Sequence, residues 1–293
     1  MRVGALEAGG TKMVCAIAEV DGKESWEILE RISLPTETPE KTVPAMLSFF
    51  KGKGMEALGI ACFGPVDLHK DSPSYGCITT TPKLEWAGYD IVGVFEKELG
   101  VPVGFDTDVN GSLLGEAYYG CARGLKNSIY ITIGTGVGAG IMTNGQMLHG
   151  MLHPEAGHIT LHRHENDRDF QSKCPFHESC LEGLAAGPAI EKRWGKKAAE
   201  LAGVKEVWEM EAYYIAQALV NFILVLSPEK IILGGGVMHQ EQLFPLIRKE
   251  VSRQMNGYIK TSQMENLDDY IVSASLGDNQ GVLGACRLAV EAL

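Results

Sequence analysis

Apolar positions along the chain follow two periods in turn. Val3 to Ala8 and Met13 to Val20 are apolar, β-rich runs separated by the tip Gly9-Gly10-Thr11-Lys12, and Asp21-Gly22 turns the chain into a third run, Ser25 to Leu34. This order predicts a β-meander. Pro39 to Phe50 places Val43, Met46, Leu47 and Phe50 at helical spacing, whereas Ala57 to Phe63 is unbroken and apolar, as a buried strand is, and stops at Gly64-Pro65. Tyr89 to Leu99 predicts another amphipathic helix and Pro102 to Phe105 another strand. Asp106-Thr107-Asp108 then supplies N-cap chemistry for a helix through Tyr119.

The pattern restarts further on. Ser128 to Ile133 reads as a strand, Gly134-Thr135-Gly136-Val137-Gly138 as a glycine turn, Ala139 to Thr143 as a second strand and Asn144-Gly145 as a hairpin signal. This echoes residues 3 to 22. His149 to Cys180 is irregular and holds six of the eight histidines: His149, His153, His158, His162, His164 and His177. Helices at about 182 to 202 and 207 to 226 follow, then the strand Lys230 to Leu233 and the triplet Gly234-Gly235-Gly236. The echo predicts an α/β protein of two related halves around a cleft.

Composition narrows the function classes. With 45% hydrophobic and 22% charged residues the chain reads as globular and ordered. A net charge of −11 repels phosphate backbones and anionic bilayers, so neither nucleic acid nor a membrane is an expected partner, and an anionic ligand would need backbone N–H groups or a metal. No run of eighteen apolar residues is present. Seven scattered cysteines behind a start, MRVGALEAGG, without an apolar signal region predict a reducing cytoplasm. The 35 glycines, about 12% of the chain against roughly 7% in ordinary proteins, call for a backbone explanation.

Part of it lies in three strand-ending glycine clusters, Gly9-Gly10, Gly134 to Gly138 and Gly234 to Gly236, where amides could approach phosphate oxygens with no Cβ in the way. A single cluster would fit a tight hairpin as well. No G-x-x-x-x-G-K-[ST] occurs, and the degenerate dinucleotide fingerprint Gly134, Gly136, Ala139 runs into a hairpin where that motif needs a helix. Cys174-x-x-His177-x-x-Cys180, with His158 upstream, offers four soft or borderline ligands suited to tetrahedral zinc, His162 and His164 being rivals for the fourth place. Asp108, where a strand hands over to a helix, is either an N-cap or a catalytic carboxylate. Trp86 could pack on a sugar face or in the core.

Glu7-Ala8-Gly9-Gly10-Thr11-Lys12 and Ile133-Gly134-Thr135-Gly136-Val137-Gly138 together resemble the two phosphate loops of the ROK sugar kinases. Asp108 with Asn110, Glu155-Ala156-Gly157-His158, the Cys/His cluster ending in Cys180-Leu181-Glu182, and Pro228 to Gly236 extend the likeness over nearly the whole chain. The resemblance implies an actin/hexokinase-like (ribonuclease H-like) fold, with an N-terminal α/β domain 1–118 that takes back a helix 278–293, and a second domain 119–277 with a zinc loop 158–180. It implies an ATP-dependent hexose kinase in which Asp108 takes the proton of the attacking hydroxyl and Glu7, where the family usually has Asp, holds a hydrated Mg²⁺. Gly9, Gly10, Thr11, Lys12, Gly134, Thr135, Gly136, Pro188, Gly234, Gly235, Gly236, Val237 and Met238 would hold ATP. Gly64, Asp108, Asn110, Glu155, His158 and Glu182 would hold the sugar, and His158, Cys174, His177 and Cys180 a structural Zn²⁺. The Thr81-Pro82-Lys83-x-x-Trp86 stretch and the Cys₂His₂ variant are similar to the bacterial fructokinase branch, which puts fructose first, ahead of mannose or glucose, and a homodimer is the assembly the family suggests. Two other classes remain. A sugar-responsive repressor would carry a helix-turn-helix module, for which a first loop beginning within ten residues of Met1 leaves no room, and a non-catalytic sugar-binding protein would not need Asp108 and both phosphate loops.

Overall fold

The computed structural model describes residues 1–21, 25–81 and 83–293; Gly22 of the Asp21-Gly22 turn and Pro82 of the Thr-Pro-Lys stretch lie outside the described residues. The chain divides into two units, one comprising 1–124, 147–153 and 274–293, the other 125–146 and 154–273. The segment 147–153, placed by sequence with the second domain, groups with the first unit.

The first unit opens with the expected meander, β1 (Arg2–Ala8), β2 (Lys12–Val20) and β3 (Trp26–Pro35), antiparallel throughout, with Ala8 opposite Met13 across the Gly9-Gly10 tip. Helix α1 (Pro39–Phe50) buries Val43, Met46, Leu47 and Phe50, and β4 (Ala57–Cys62) is buried at every position. Helix α2 (Ile91–Leu99) starts at Asp90, whose Oδ1 accepts from Gly93 N at 2.8 Å, and ends at the left-handed Gly100. Strand β5 (Val103–Thr107) runs past the predicted end at Phe105 into α3 (Asp108–Tyr119). The cap is Thr107, whose Oγ1 accepts from Asn110 N at 3.1 Å, so Asp108 is the first helical residue and is not needed as an N-cap.

In the second unit β6 (Ser128–Ile133), β7 (Val137–Thr143) and β8 (Gln146–Met147) repeat the meander. The helix expected over 182 to 202 is instead α4 (Leu181–Ala185) and α5 (Gly187–Trp194), followed by a short 3-10 turn. Extended Ala186 interrupts it, Pro188 in the next first turn lacks the N–H that a continuous helix would use, and left-handed Gly195 ends α5. Helix α6 (Lys205–Leu226) leads to β9 (Lys230–Gly234), α7 (Leu243–Met255), α8 (Ser262–Glu265), α9 (Leu267–Tyr270) and β10 (Ile271–Ser273), and α10 (Gln280–Glu291) returns to the first unit. By length and composition α6 could cross a membrane, yet it buries Trp208, Tyr214, Leu219 and Phe222 as a core helix does.

The two sheets have the same topology. Their orders are β3-β2-β1-β4-β5 and β8-β7-β6-β9-β10, each an antiparallel meander whose first strand pairs in parallel with a later strand, which pairs in parallel with another. The echo seen in sequence is a duplicated sheet.

Close packing of α10 accounts for several glycines that the strand-end turns do not. A Cβ on Gly284 would lie 1.6 Å from the Gly111 carbonyl oxygen in α3, and one on Gly59 in β4 would lie 1.7 Å from Ala285 O. Backbone meets backbone at both places. Gly284→Ala is therefore expected to lower stability by about 1–3 kcal/mol or more, since no side-chain shift relieves the overlap; a denaturation midpoint close to wild type would refute this.

Within the second unit, Arg193 of α5 is 6% exposed and joins three elements. Its Nε donates to Asp167 Oδ1 at 2.9 Å, Nη1 to Glu211 Oε1 at 3.2 Å and Nη2 to Leu184 O at 2.8 Å, and its guanidinium lies 4.0 Å from the Phe170 ring centroid. Tyr214 donates to Asp167 Oδ2 at 2.6 Å. One cation thus serves two buried carboxyls. Burial pushes the Glu211 carboxyl well above the usual range; Arg193 opposes this and Asp167 reinforces it.

Candidate active site

In the first unit, candidate residues gather at strand ends. The β1–β2 tip is closed by Gly9 N donating to Lys12 O at 3.0 Å and held from the side by Thr36 Oγ1 on Gly9 O at 2.7 Å. Glu7 stands at the end of β1 against Gly281, where a Cβ would lie 2.5 Å from Glu7 Cδ. Burial raises its carboxyl, while Lys12 and Arg31 pull it back down. Asp108 begins α3 beside the end of β4, its Oδ1 accepting from Val109 N at 2.9 Å and its charge felt by buried Cys62.

In the second unit three turns meet. Gly134 N donates to Gly136 O at 2.9 Å and Gly187 N to Gly134 O at 2.8 Å. A Cβ on Gly134 would sit 3.8 Å from Gly236 N, and one on Gly187 3.9 Å from a Val237 methyl. Gly235 takes φ +87°, and a side chain there would strike the Ile133 backbone at 2.6 Å. Such a cluster of turns can present several amides to an anion. Val237 and Met238 are buried, 3% and 5% exposed.

The acidic pair of this unit lies next to the β6–β7 turn. Glu182, in the first turn of α4, accepts from Val137 N at 3.0 Å through Oε2, so one of its oxygens braces the turn. Burial, and then the Glu182 charge, raise the Glu155 carboxyl. His158 N donates to Glu155 O at 3.0 Å.

Segment 159–161 pairs with 179–181 through Leu161 N on Ser179 O at 2.8 Å and Leu181 N on Ile159 O at 3.1 Å, which brings His158 up to Cys180. The ligand atoms of His158, Cys174, His177 and Cys180 all lie within 4.8 Å of one another. Cys174 Sγ is 3.4 Å from His177 Nδ1 and 3.7 Å from His158 Nδ1, and Cys180 Sγ is 3.7 Å from His158 Nδ1. A tetrahedron with Zn–S of about 2.3 Å and Zn–N of about 2.05 Å has S···N edges of about 3.5 Å, so this Cys₂His₂ set fits zinc. The rival histidines lie elsewhere: His162 N donates to Gln217, and His164 stacks edge-on against Tyr213.

The ROK family pattern matches residues 3–292. The chain belongs to the ROK family. A protein of Bacillus subtilis (strain 168) is 50% identical over 292 residues, covering 99% of this chain and 96% of the relative. A fructokinase of Pediococcus pentosaceus is 46% identical over 293 residues, covering 100% and 99%. Among solved structures, a ROK hexokinase from Thermus thermophilus matches with a TM-score of 0.79 at 28% identity, over 99% of this chain and 98% of the other. The duplicated sheets are those of the actin/hexokinase-like fold.

Asp106, His149 and His153 of this ROK chain were given no role in the site by sequence. Asp106, 3% exposed, pairs with His149 at 3.0 Å, and Val66 N donates to the buried His153 at 3.2 Å. A Cβ on Gly64 would lie 3.2 Å from His153 Cε1, which ties Gly64 to the same segment. The histidine density over 149–180 was the available signal, but nothing in spacing pairs residues 43 or 87 positions apart. Trp86 belongs to the core: it is 1% exposed, and its Nε1 donates to Glu37 O at 2.7 Å.

Proposed function

We propose that this ROK chain transfers the γ-phosphoryl group of ATP to the 6-hydroxyl of fructose. The observation that carries this reading is likeness to a fructokinase across the whole chain; mannose and glucose follow as poorer acceptors. Asp108 accepts the proton as the hydroxyl oxygen bonds to the γ-phosphorus and the bond to the β-phosphate bridge breaks, leaving ADP. Its place as the first residue of α3, with Thr107 doing the capping, supports that role. The amides of Gly9, Gly10, Thr11 and Lys12, of Gly134, Thr135 and Gly136, and of Gly234 to Met238, together with the Gly187-Pro188 turn, bind phosphate, a task the −11 net charge cannot assist. Glu7 would hold the hydrated Mg²⁺ that accompanies ATP, and that ion would supply charge neutralisation at the phosphates. Gly64, Asn110, Glu155, His158 and Glu182 position the sugar. The protein acts in the cytoplasm as a homodimer.

A coupled ADP-release assay with ATP, Mg²⁺ and separate hexoses tests this. Fructose is expected to give the highest kcat/KM; no ADP release with any hexose would overturn the kinase reading, and preference for glucose would move the acceptor.

His158, Cys174, His177 and Cys180 hold zinc in a closed structural site, because four protein ligands leave no position for water. Metal analysis of protein purified without chelators should find about one zinc per chain. Cys180→Ser should lose it and weaken fructose binding more than ATP binding, because Glu155 and Glu182 flank the ligands in sequence; a zinc-free variant with normal fructose KM would break that link.

A further inference from the structure

The end of β5, the first turn of α3 and segment 147–153 carry a polar cluster whose Asp106 and His149 the mechanism above leaves unused. Asp106 accepts from three donors: Thr107 N at 2.7 Å, Asn110 Nδ2 at 2.7 Å and His149 Nε2 at 3.0 Å. These bonds fix two orientations. Asn110 must turn its amide nitrogen toward the carboxylate, so its Oδ1 points away; the residue is 1% exposed, and that oxygen has no hydrogen-bond partner among the described residues. A buried acceptor left unsatisfied destabilises the site, and a donor on a ligand would relieve that. His149 commits Nε2 to Asp106, leaving Nδ1 on a side chain that is 41% exposed. The 3.3 Å approach of Asn110 Nδ2 to His149 Nε2 is then that of two donors serving one carboxylate.

The segment that carries His149 is pinned, which makes the ring position a property of the fold. His153 accepts from Val66 N at 3.2 Å, and His69 Nε2 lies 3.1 Å from Met151 O. Asn110 shares the first turn of α3 with Asp108.

We propose that Asn110 Oδ1 and His149 Nδ1 form a two-point hydrogen-bonding subsite for hydroxyls of the acceptor sugar, and that Asp106 is the positioning residue orienting both. A polyol fits this pair because a hydroxyl can donate to the amide oxygen while a neighbouring one meets the imidazole nitrogen. The proposal rests on the sugar-kinase reading and adds His149 and Asp106 to it.

The test is steady-state kinetics of His149→Ala, His149→Gln and Asp106→Asn, with fructose and ATP varied separately, and with fructose analogues each lacking one hydroxyl. His149→Ala should raise the fructose KM by about tenfold, with smaller changes in kcat and in the ATP KM. His149→Gln should recover part of the loss, since its amide can reach both partners. On the analogue lacking the contacted hydroxyl the His149→Ala penalty should shrink to under about twofold, which a merely structural role would not produce. A fructose KM within about twofold of wild type in folded His149→Ala, or an equal penalty on every analogue, overturns the proposal. Should Asp106→Asn not fold, the half-exposed His149 still decides it. Wild-type protein that phosphorylates no hexose refutes the kinase reading and this proposal with it, whereas an active wild type whose His149→Ala variant keeps a normal fructose KM refutes this proposal alone.

Discussion

Asp108→Asn is expected to lower kcat by at least about 100-fold while leaving the fold and the fructose KM nearly unchanged. The amide is close to isosteric, and its oxygen can still accept from Val109 N, as Asp108 Oδ1 does at 2.9 Å. Helix α3 keeps its cap because Thr107 provides it. What disappears is the proton acceptor. Comparing kcat with fructose binding by calorimetry separates the outcomes: near-normal turnover removes Asp108 from the chemistry, and lost binding with lost turnover would mean that it holds the sugar instead.

Arg193→Met should destabilise the protein by about 3–5 kcal/mol, because it strips the cation from a buried cluster that still contains Asp167 and Glu211. Glu211→Gln should be far milder, within about 1 kcal/mol, since an amide resembles the protonated acid that burial favours. The pH dependence follows from the same shift. Glu211 is raised in the folded state, so the folded protein holds that proton more tightly than the unfolded chain does. Its contribution is favourable at low pH and is lost as pH climbs from the ordinary Glu value, about 4.3, toward the folded one. Denaturation midpoints of wild type minus Glu211→Gln should therefore fall with rising pH, and a flat difference would mean that Glu211 is ionised throughout.

Elements with a local signature were legible. The β1–β2 tip, α1 and the second meander each announce themselves through period, turn residues or an Asn-Gly pair, and Cys174-x-x-His177-x-x-Cys180 places three of four clustered ligands within one short loop. The break at Ala186 was also written, in Gly187-Pro188, but the apolar spacing on either side hid it. Long-range pairings were not legible. His149 reaching Asp106, and Glu182 bracing Val137 N, depend on tertiary placement that no spacing encodes. The glycines of α10 and α3 carry no turn signature in sequence and mark a close backbone approach.

The return of α10 orders events during synthesis. Its residues 280–291 pack against α3, β1 and β4, so residues 1–124 lack a wall of their own core until more than 150 later residues have been translated. Residues 125–146 and 154–273 are all translated before that helix. A nascent chain released before residue 280 would expose the apolar faces of β1 and β4, making such truncated products targets for chaperones and proteases.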